Sequence, residues 1–146
     1  MDAGFDIDEF LAQPLTARVA TQGPTVRPTW FLWEDNAFWI LTGPWARLLE
    51  RVRQDPIIAI TVDICDVNTG LVRQVLARGT AEVRPFDVSR GRRKLSRYLG
   101  DDEDNWDGRF WRYLHQSPAE LGTVWLRMVP NRMLAKDLSY QAEPVC

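Results

Sequence analysis

Residues 42–47 combine a hydroxyl, a cation and the predicted start of a helix. Thr42 follows an apolar run, residues 37–41, that predicts a strand. Pro44 suits the first turn of a helix because its missing N–H would be unpaired there, and Arg47 follows at once. Free backbone N–H groups and the helix dipole both favour an anion at a helix N-terminus. The stretch is therefore a candidate phosphate site, although a surface helix with solvated arginines would show the same spacing.

The helix itself is predicted from its apolar period. Apolar residues recur at i, i+3, i+4 and i+7, one face of a 3.6-residue period, as Trp45, Leu48, Leu49 and Val52. The opposite face carries three arginines and a glutamate, and a Pro at position 56 ends the helix.

Other residues that commonly carry chemistry show weaker patterns. The single histidine, His115, is required by any Ser–His–Asp or Cys–His site, but no pattern places it near a nucleophile. No His, Cys, Asp or Glu spacing matches a zinc site, and the acidic run 101–108 has Leu114 where a calcium loop needs Glu. We therefore predict no metal site.

A basic cluster on a later predicted helix is the remaining charged feature. We predict that it is a solvated face, partly paired with the acidic run that follows, rather than a nucleic-acid site; its members are Arg90, Arg92, Arg93, Lys94 and Arg97. The sequence contains neither a Gly-rich dinucleotide motif nor a Walker loop.

Composition favours one domain, residues 1–146, with a full hydrophobic core. The net charge of -2 does not favour bulk binding to nucleic acid or membrane surfaces. No apolar run approaches the roughly 20 residues of a membrane span, and the acidic N-terminus does not resemble a signal peptide. Cys65 and Cys146 form no disulfide or metal pattern, so we expect a cytoplasmic protein. The sequence contains seven tryptophans. Packing in the core explains some of them, and a flat aromatic ligand or a subunit interface could explain others.

The elements that position these residues are mostly short strands between tight turns. Predicted strands cover residues 15–21, 26–33, 37–41, 57–62, 71–83 and 121–129, with an extension over 133–138. Predicted helices cover 7–13, 88–99, which Asp87 caps, and 103–115, besides the one after Pro44. The polar residues 34–36 predict a hairpin turn. We expect Pro28 at a sheet edge or bulge and Gly79 at a bulge. This pattern predicts a mainly β, α+β fold, an antiparallel barrel or sandwich with peripheral helices.

Five segments in this order resemble a known family. They are ARVAT at 17–21, PTWFLW at 28–33, FWILTGPWARLL at 38–49 followed by RQDP, RQV at 73–75, and VWLRMVP at 124–130. Together they resemble the flavin-binding split-barrel family of pyridoxamine 5'-phosphate oxidase, which includes the deazaflavin-dependent reductases of actinobacteria. The resemblance covers about residues 15–137.

This resemblance implies a six-stranded Greek-key split β-barrel that forms a homodimer. It also implies an oxidoreductase that binds FMN, or the deazaflavin coenzyme F-420 (F420), in a groove between the subunits. Such an enzyme would transfer a hydride to or from a small conjugated substrate. The implied partners are a second copy of the chain and that substrate, with no nucleic acid and no membrane.

The resemblance also implies which residues contact the cofactor, and none of them is assigned as catalytic. Its phosphate and ribityl chain would be bound by Arg18, Thr42, Arg47 and Gln74. Pro28 and Trp30 would lie near the ring system. Trp125 and Arg127 match residues that reach across the dimer.

The sequence departs from the oxidase at the central helix. The oxidase motif Ser-Arg-Lys reads Ala46-Arg47-Leu48 here, so a hydroxyl and a cation are missing. Losing one charge-assisted phosphate contact costs about 1.5–3 kcal/mol. Cofactor binding is therefore expected to be weak or to use other residues, and authentic pyridoxamine phosphate oxidase activity is not expected. The alternatives are a non-catalytic flavin, haem or stress-related protein on the same scaffold, and a dimer without cofactor.

Overall fold

Seven antiparallel strands form one sheet in the part of the chain that the computed structural model describes, residues 4–116 and 118–141. The strands are β1 (Ala17–Thr21), β2 (Thr25–Thr29), β3 (Leu32–Glu34), β4 (Ala37–Thr42), β5 (Ile57–Asp66), β6 (Leu71–Pro85) and β7 (Val124–Asp137). Their order across the sheet is β2-β1-β5-β6-β7-β4-β3. The sheet curls into a half-barrel with peripheral helices, which confirms the predicted fold class, with seven strands instead of six.

Helices pack around the curled sheet and connect its strands. They are α1 (Ile7–Leu11), α2 (Arg47–Gln54), α3 (Val88–Leu99), α4 (Gly108–His115), α5 (Pro118–Leu121) and a 3-10 helix (Glu103–Asn105). Asp6, Asp87 and Asp107 cap α1, α3 and α4, each carboxylate accepting a hydrogen bond from a backbone N–H of the first turn. No helix within the described ranges is long and apolar enough to span a membrane.

The core lies between the inner face of the sheet and the helices α1 and α2. Val19, Phe38 and Ile60 on the strands are at most 1% exposed, and α2 contributes Leu48 and Val52. The 3.6-residue period predicted these two α2 residues, because they fall on one side of the helix. A separate cluster between α3 and α4 contains Leu95, Trp106 and Leu114.

The seventh strand arises because the predicted strand 26–33 is interrupted. Its residues form β2 and β3, and between them the chain leaves the ladder at Trp30 and Phe31. The Phe31 N–H donates to the Tyr98 hydroxyl at 3.1 Å. Pro28 lies in β2, an edge strand, as a residue without an N–H requires. The predicted strand 121–129 and its extension form a single strand, β7, but it begins at Val124, because Leu121 ends the helix α5.

Two helix predictions need correction. The helix α2 begins at Arg47, because residues 43–46 form a turn in which the Ala46 N–H donates to the Gly43 carbonyl at 3.1 Å. Pro44 therefore precedes the helix, and Trp45 is 50% exposed and not part of the buried face. The predicted helix 103–115 is divided into the 3-10 helix and α4, because Asp107 caps a new helix.

Several local predictions are confirmed. Helix α3 has the predicted bounds, and the polar turn before β4 has positive φ at Asp35 and Asn36, as a tight hairpin requires. β6 is the longest strand, with a register shift at Gly79. Cys65 is exposed and free, whereas Ser117 and Cys146 lie outside the described residues.

The bulge predicts a stability difference between two glycine substitutions. A Cβ at Gly79 would lie 2.7 Å from the Val129 carbonyl oxygen, so Gly79→Ala should lower the free energy of unfolding by about 1–3 kcal/mol. Gly108→Ala is the control, because a Cβ there meets no atom closer than 4.0 Å. This substitution should raise the free energy of unfolding by about 0.4–1 kcal/mol. Urea denaturation measures both; equal effects would contradict the close approach at Gly79.

Candidate functional site

A cationic cleft lies between the start of α2 and the β1–β2 hairpin. Three arginines line it, Arg27 from β2 and Arg47 and Arg51 from α2, and its volume is about 350 Å³. We call it the arginine cleft. Its other lining residues are Val19, Thr21, Thr25, Val26, Trp45, Ala46 and Leu48. Neither Asp nor Glu lines it, and the carboxylates of Glu50 and Asp55 line an adjoining cavity with Arg47 and Arg51, so positive charge predominates in the cleft.

None of the three arginines has a carboxylate partner within the described residues, a property that they share with Arg53 and Arg78. Arg18 and Arg73, by contrast, form ion pairs with Asp63 and Asp137. A guanidinium without a protein partner keeps all its donors available to an anion. Its planar fork matches phosphate or carboxylate oxygens in a bidentate arrangement.

The first turn of α2 adds backbone donors to this cleft. Its N-cap residue is Ala46, which provides no side-chain acceptor, in contrast to the aspartates that cap α1, α3 and α4. The N–H groups of the first turn therefore lack a side-chain cap, and the helix dipole favours negative charge at this end. Arg47 and the uncapped turn together favour an anion at the position that the sequence indicated.

The missing lysine of the oxidase motif is explained by packing. Leu48 is 6% exposed and packs in the core, with only an edge bordering the cleft, so a charged side chain at this position would give up apolar packing. Arg51, four residues after Arg47 on the same helix face, and Arg27 supply the additional cations. Sequence reasoning assigned Arg51 only to a polar face and did not consider Arg27; the i, i+4 spacing was the available signal for Arg51.

Thr42 lies at the end of β4, below the turn that leads into α2. It is 1% exposed, and its Oγ1 has no hydrogen-bond partner among the described atoms. The Trp45 indole folds back over Gly43, where any Cβ would overlap the ring. The cofactor contact expected for Thr42 stays a prediction, and its hydroxyl is not on the surface of the cleft.

A second cavity, of about 170 Å³, is also lined by Trp45. We call it the aromatic pocket, and its lining residues are Thr29, Trp30, Leu41, Trp45, Lys94, Leu95, Phe110 and Tyr113. Trp30 stacks on Tyr98 at 4.4 Å and on Phe110 at 5.2 Å between ring centroids. The Tyr98 hydroxyl donates to the Leu15 carbonyl at 2.6 Å, which fixes its ring. Trp45 lines both cavities, so they share one wall.

Lys94 contradicts the prediction that the whole basic cluster is a solvated face. It is 6% exposed, and no hydrogen bond or carboxylate from the described residues reaches its ammonium. Its Nζ lies 5.9 Å from the centroid of the Trp125 ring. Burial lowers the pKa of Lys94 from its ordinary value of 10.5 to about 8, because the charged form loses its hydration.

The other members of the cluster are mostly paired within the chain. Arg90 and Arg93 form ion pairs with Glu34 at 2.7 and 2.6 Å, and their hydrogen bonds hold the pKa of that carboxyl below its usual value. Arg92 pairs with Glu103, in the acidic run, as predicted. His115 also contacts Glu103, at 3.4 Å, and stacks on Trp111.

Three predicted cofactor residues lie on the outer face of the sheet. Arg18 pairs with Asp63, Gln74 is opposite Asp63 in the β5–β6 register, and Pro28 is opposite Arg18. Successive strand residues point to opposite faces. Arg18 therefore lies on the face of β1 opposite to Thr21, which lines the arginine cleft. A single chain does not bring these three residues to Arg47.

The last two predicted residues lie on β7. Trp125 is fully buried and packs against Phe86 at 5.8 Å and Trp39 at 6.3 Å between ring centroids. Its indole Nε1 has no hydrogen-bond partner among the described residues, and the cofactor contact implied for Trp125 stays a prediction. Arg127 lies over the Trp39 ring and forms an ion pair with Glu82 at 3.7 Å. The cross-dimer contact implied for Arg127 stays a prediction.

The curled antiparallel sheet with peripheral helices is the architecture of the flavin-binding split-barrel class. The family model described as pyridoxamine 5'-phosphate oxidase matches residues 6–137, which is most of the sequence. The chain therefore belongs to this family, which confirms the resemblance. Among curated proteins, none matches the sequence significantly.

Solved structures share this fold at low sequence identity. A conserved hypothetical protein from Mycobacterium tuberculosis superposes with a TM-score of 0.70 at 19% identity, covering 90% of this chain and 82% of that one. An F420 reductase superposes with a TM-score of 0.64 at 18% identity, covering 87% of this chain and 94% of that one. HutZ, a haem-storage protein from Vibrio cholerae, superposes with a TM-score of 0.67 at 16% identity, covering 94% of this chain and 96% of that one. The fold is thus similar to those of both an enzyme and a storage protein.

The buried ammonium of Lys94 predicts an unusual dependence of stability on pH. The decrease in pKa from 10.5 to about 8 corresponds to about 3 kcal/mol, at 1.36 kcal/mol per pKa unit. Below pH 8 the lysine is charged in both states and destabilises the folded one. Between about pH 8 and 10.5 the unfolded chain binds more protons, so the free energy of unfolding attributable to this group rises with pH.

Lys94→Met should therefore raise the free energy of unfolding at pH 7 by about 1–3 kcal/mol, and the gain should shrink towards pH 10. Lys136→Met is the matched control, because the chain has two lysines and Lys136 is exposed. Urea denaturation at several pH values measures both variants. A destabilised Lys94→Met, or a gain independent of pH, would contradict a buried, unpaired ammonium.

Proposed function

We propose that the protein is a cytoplasmic oxidoreductase that uses FMN or F420, bound through its phosphate at the arginine cleft of a homodimer. The observation that carries the proposal is the group of three arginines without carboxylate partners at the uncapped start of α2. Family membership and the fold shared with an F420 reductase support a flavin-type cofactor.

The residues present fit a phosphate-tailed molecule. Both cofactors carry a phosphate group, whose oxygens accept charge-assisted hydrogen bonds from guanidinium and backbone N–H donors. Arg27, Arg47 and Arg51 surround the cleft, so the cation lost at Leu48 has replacements. Trp45, half exposed beside them, offers a flat apolar surface. FMN and F420 fit this donor set equally well, and we propose both as candidates.

The roles of this chain's residues follow from their positions. When bound, the cofactor supplies hydride transfer. Arg27, Arg47 and Arg51 would hold its phosphate, while Trp45 and the stacked Trp30 would limit the access of water to its ring system. Because a hydride passes between cofactor and substrate, we assign no acid–base residue. The substrate we propose is a small conjugated molecule.

Cofactor titration tests this proposal directly. Purified protein should quench the fluorescence of FMN, of F420 or of both, and Arg47→Ala or Arg51→Ala should weaken that binding about tenfold to a hundredfold. Arg53→Ala is the matched control, since Arg53 lies on the same helix but does not line the arginine cleft. Failure to bind either cofactor, or equal effects of all three substitutions, would overturn it.

A homodimer is part of the proposal because Arg18 and Gln74 face away from the arginine cleft of their own chain. The outer face of the sheet also carries an apolar stripe, in which Leu76 lies opposite Leu134 and both line a cavity of about 260 Å³. Ile57 and Val129, also in strands of this face, are 54% and 42% exposed. Exposed apolar surface of this kind is typical of subunit interfaces.

Replacing Leu76 with Glu should therefore dissociate the dimer, because a buried unpaired charge would lie in the interface. Size-exclusion chromatography with light scattering gives the mass of each species. Val67→Glu is the control, because Val67 is 69% exposed in the turn before β6. A wild-type monomer, or a dimer that persists in Leu76→Glu, would count against this interface.

A non-catalytic flavin or haem carrier is the second candidate. Leu48 favours it, because the cation that the oxidase has at this position is absent and the residue is buried. Such a carrier would bind its ligand but show no turnover with any pair of electron donor and acceptor. Steady-state assays of the cofactor-loaded protein with varied donors and acceptors separate the two candidates.

A further inference from the structure

The proposed cofactor site does not use Lys94, the most deeply buried cation in the described residues. The chain has 18 basic residues, and all but two of them, Lys94 and Lys136, are arginine. Lys94 lines the aromatic pocket, which shares Trp45 with the arginine cleft. A buried charge without a partner raises the free energy of the folded state. A ligand with the opposite charge would offset that cost.

The aromatic pocket has the dimensions of one ring. Its volume of about 170 Å³ compares with about 150 Å³ for a protein cavity that binds benzene. Pockets that enclose whole drug-sized ligands measure about 300–1,000 Å³, so a three-ring cofactor does not fit inside. The pocket therefore suits a second, smaller molecule beside the cofactor.

Four aromatic rings line the pocket, and Thr29, Lys94 and Tyr113 bring polar groups to its surface. Phe110 stacks against Trp30, and the Trp45 and Tyr113 rings lie 6.1 Å apart between centroids. Rings bind between such walls by stacked or edge-to-face contacts. These walls select a planar ligand over a branched aliphatic one.

The pocket holds one positive charge and no negative charge. Lys94 and Tyr113 are its only titratable lining residues. Arg90 and Arg93, also on α3, form ion pairs with Glu34 from β3, and the Trp125 ring of β7 lies 5.9 Å from the Lys94 ammonium. No carboxylate from these neighbours is left for the ammonium, so its donors are available to a ligand.

We propose that the aromatic pocket binds a single-ring aromatic carboxylate, with the ring between the Trp30–Phe110 and Trp45–Tyr113 walls and the carboxylate accepting a hydrogen bond from Lys94 Nζ. Its role as the substrate class rests on the proposed function, because Trp45 would place the ligand next to the cofactor. The binding itself does not depend on a cofactor.

Benzoate is the probe, titrated into cofactor-free protein and followed by calorimetry and by the ring resonances of the ligand. Benzamide is its neutral isostere. We expect saturable benzoate binding in the millimolar range or tighter, and benzamide binding at least tenfold weaker. Benzoate affinity should fall as the pH rises through about 8, where the ammonium loses its proton, while benzamide affinity stays constant.

Two substitutions separate the contribution of the Lys94 charge to ligand affinity from that of the aromatic contacts. Lys94→Met should weaken benzoate binding at least tenfold and leave benzamide unchanged, whereas Phe110→Leu should weaken both ligands. Lys136→Met, at an exposed site, should change neither. Thermal unfolding of each variant verifies that it is folded. Wild-type benzoate affinity in folded Lys94→Met, equal affinities for benzoate and benzamide, or no saturable benzoate binding would each overturn the inference.

The proposed cofactor function and the proposed aromatic carboxylate site can be disproved independently of each other. Protein that binds benzoate through Lys94 but neither FMN nor F420 would overturn the proposed function and leave this binding site standing. Protein that binds FMN or F420 through Arg47 but not benzoate would overturn the inference and leave the proposed function standing.

Discussion

The pairing of β6 with β7 decides where every candidate site residue lies. β6 also pairs with β5 and β7 also pairs with β4, so these two long strands join both halves of the sheet. The bulge at Gly79 bends the ladder, and the sheet curls. β5 then holds β1, while β4 leads into α2, and the N-terminus of α2 meets the β1–β2 hairpin. The arginine cleft is therefore a consequence of strand order.

Ion pairs with Glu34 identify Arg90 and Arg93 as structural cations. Arg90 and Arg93 stabilise the β3–β4 turn through Glu34, and neither needs a further partner. The arginine cleft and Lys94 have no such carboxylate within the described residues. Uncompensated charge weakens the folded state unless an anion binds. Both unpaired groups border Trp45, so the two proposed ligands would be neighbours.

The proposed phosphate site departs from the oxidase motif at Leu48. Leu48 faces the core because the apolar period of α2 requires a large residue there. A lysine at this position would contribute a charge but would lose apolar packing. In this chain Arg51, one turn later, and Arg27, on a neighbouring strand, bring cations to the same cleft. The phosphate contacts that we propose therefore involve residues different from those of the oxidase, at the same place, the start of the helix.

The sequence by itself determined features that depend on neighbouring residues. Asp87 and the period after it fixed the bounds of α3, and Gly79 marked the bulge, because caps and bulges are local. Only the tertiary structure decided that Lys94 is buried, since α4 and β7 enclose that side of α3. It also placed Arg27 and Arg51 in one cleft. The physical reason is that burial and electrostatic environment depend on groups far apart in sequence, which a local pattern does not contain.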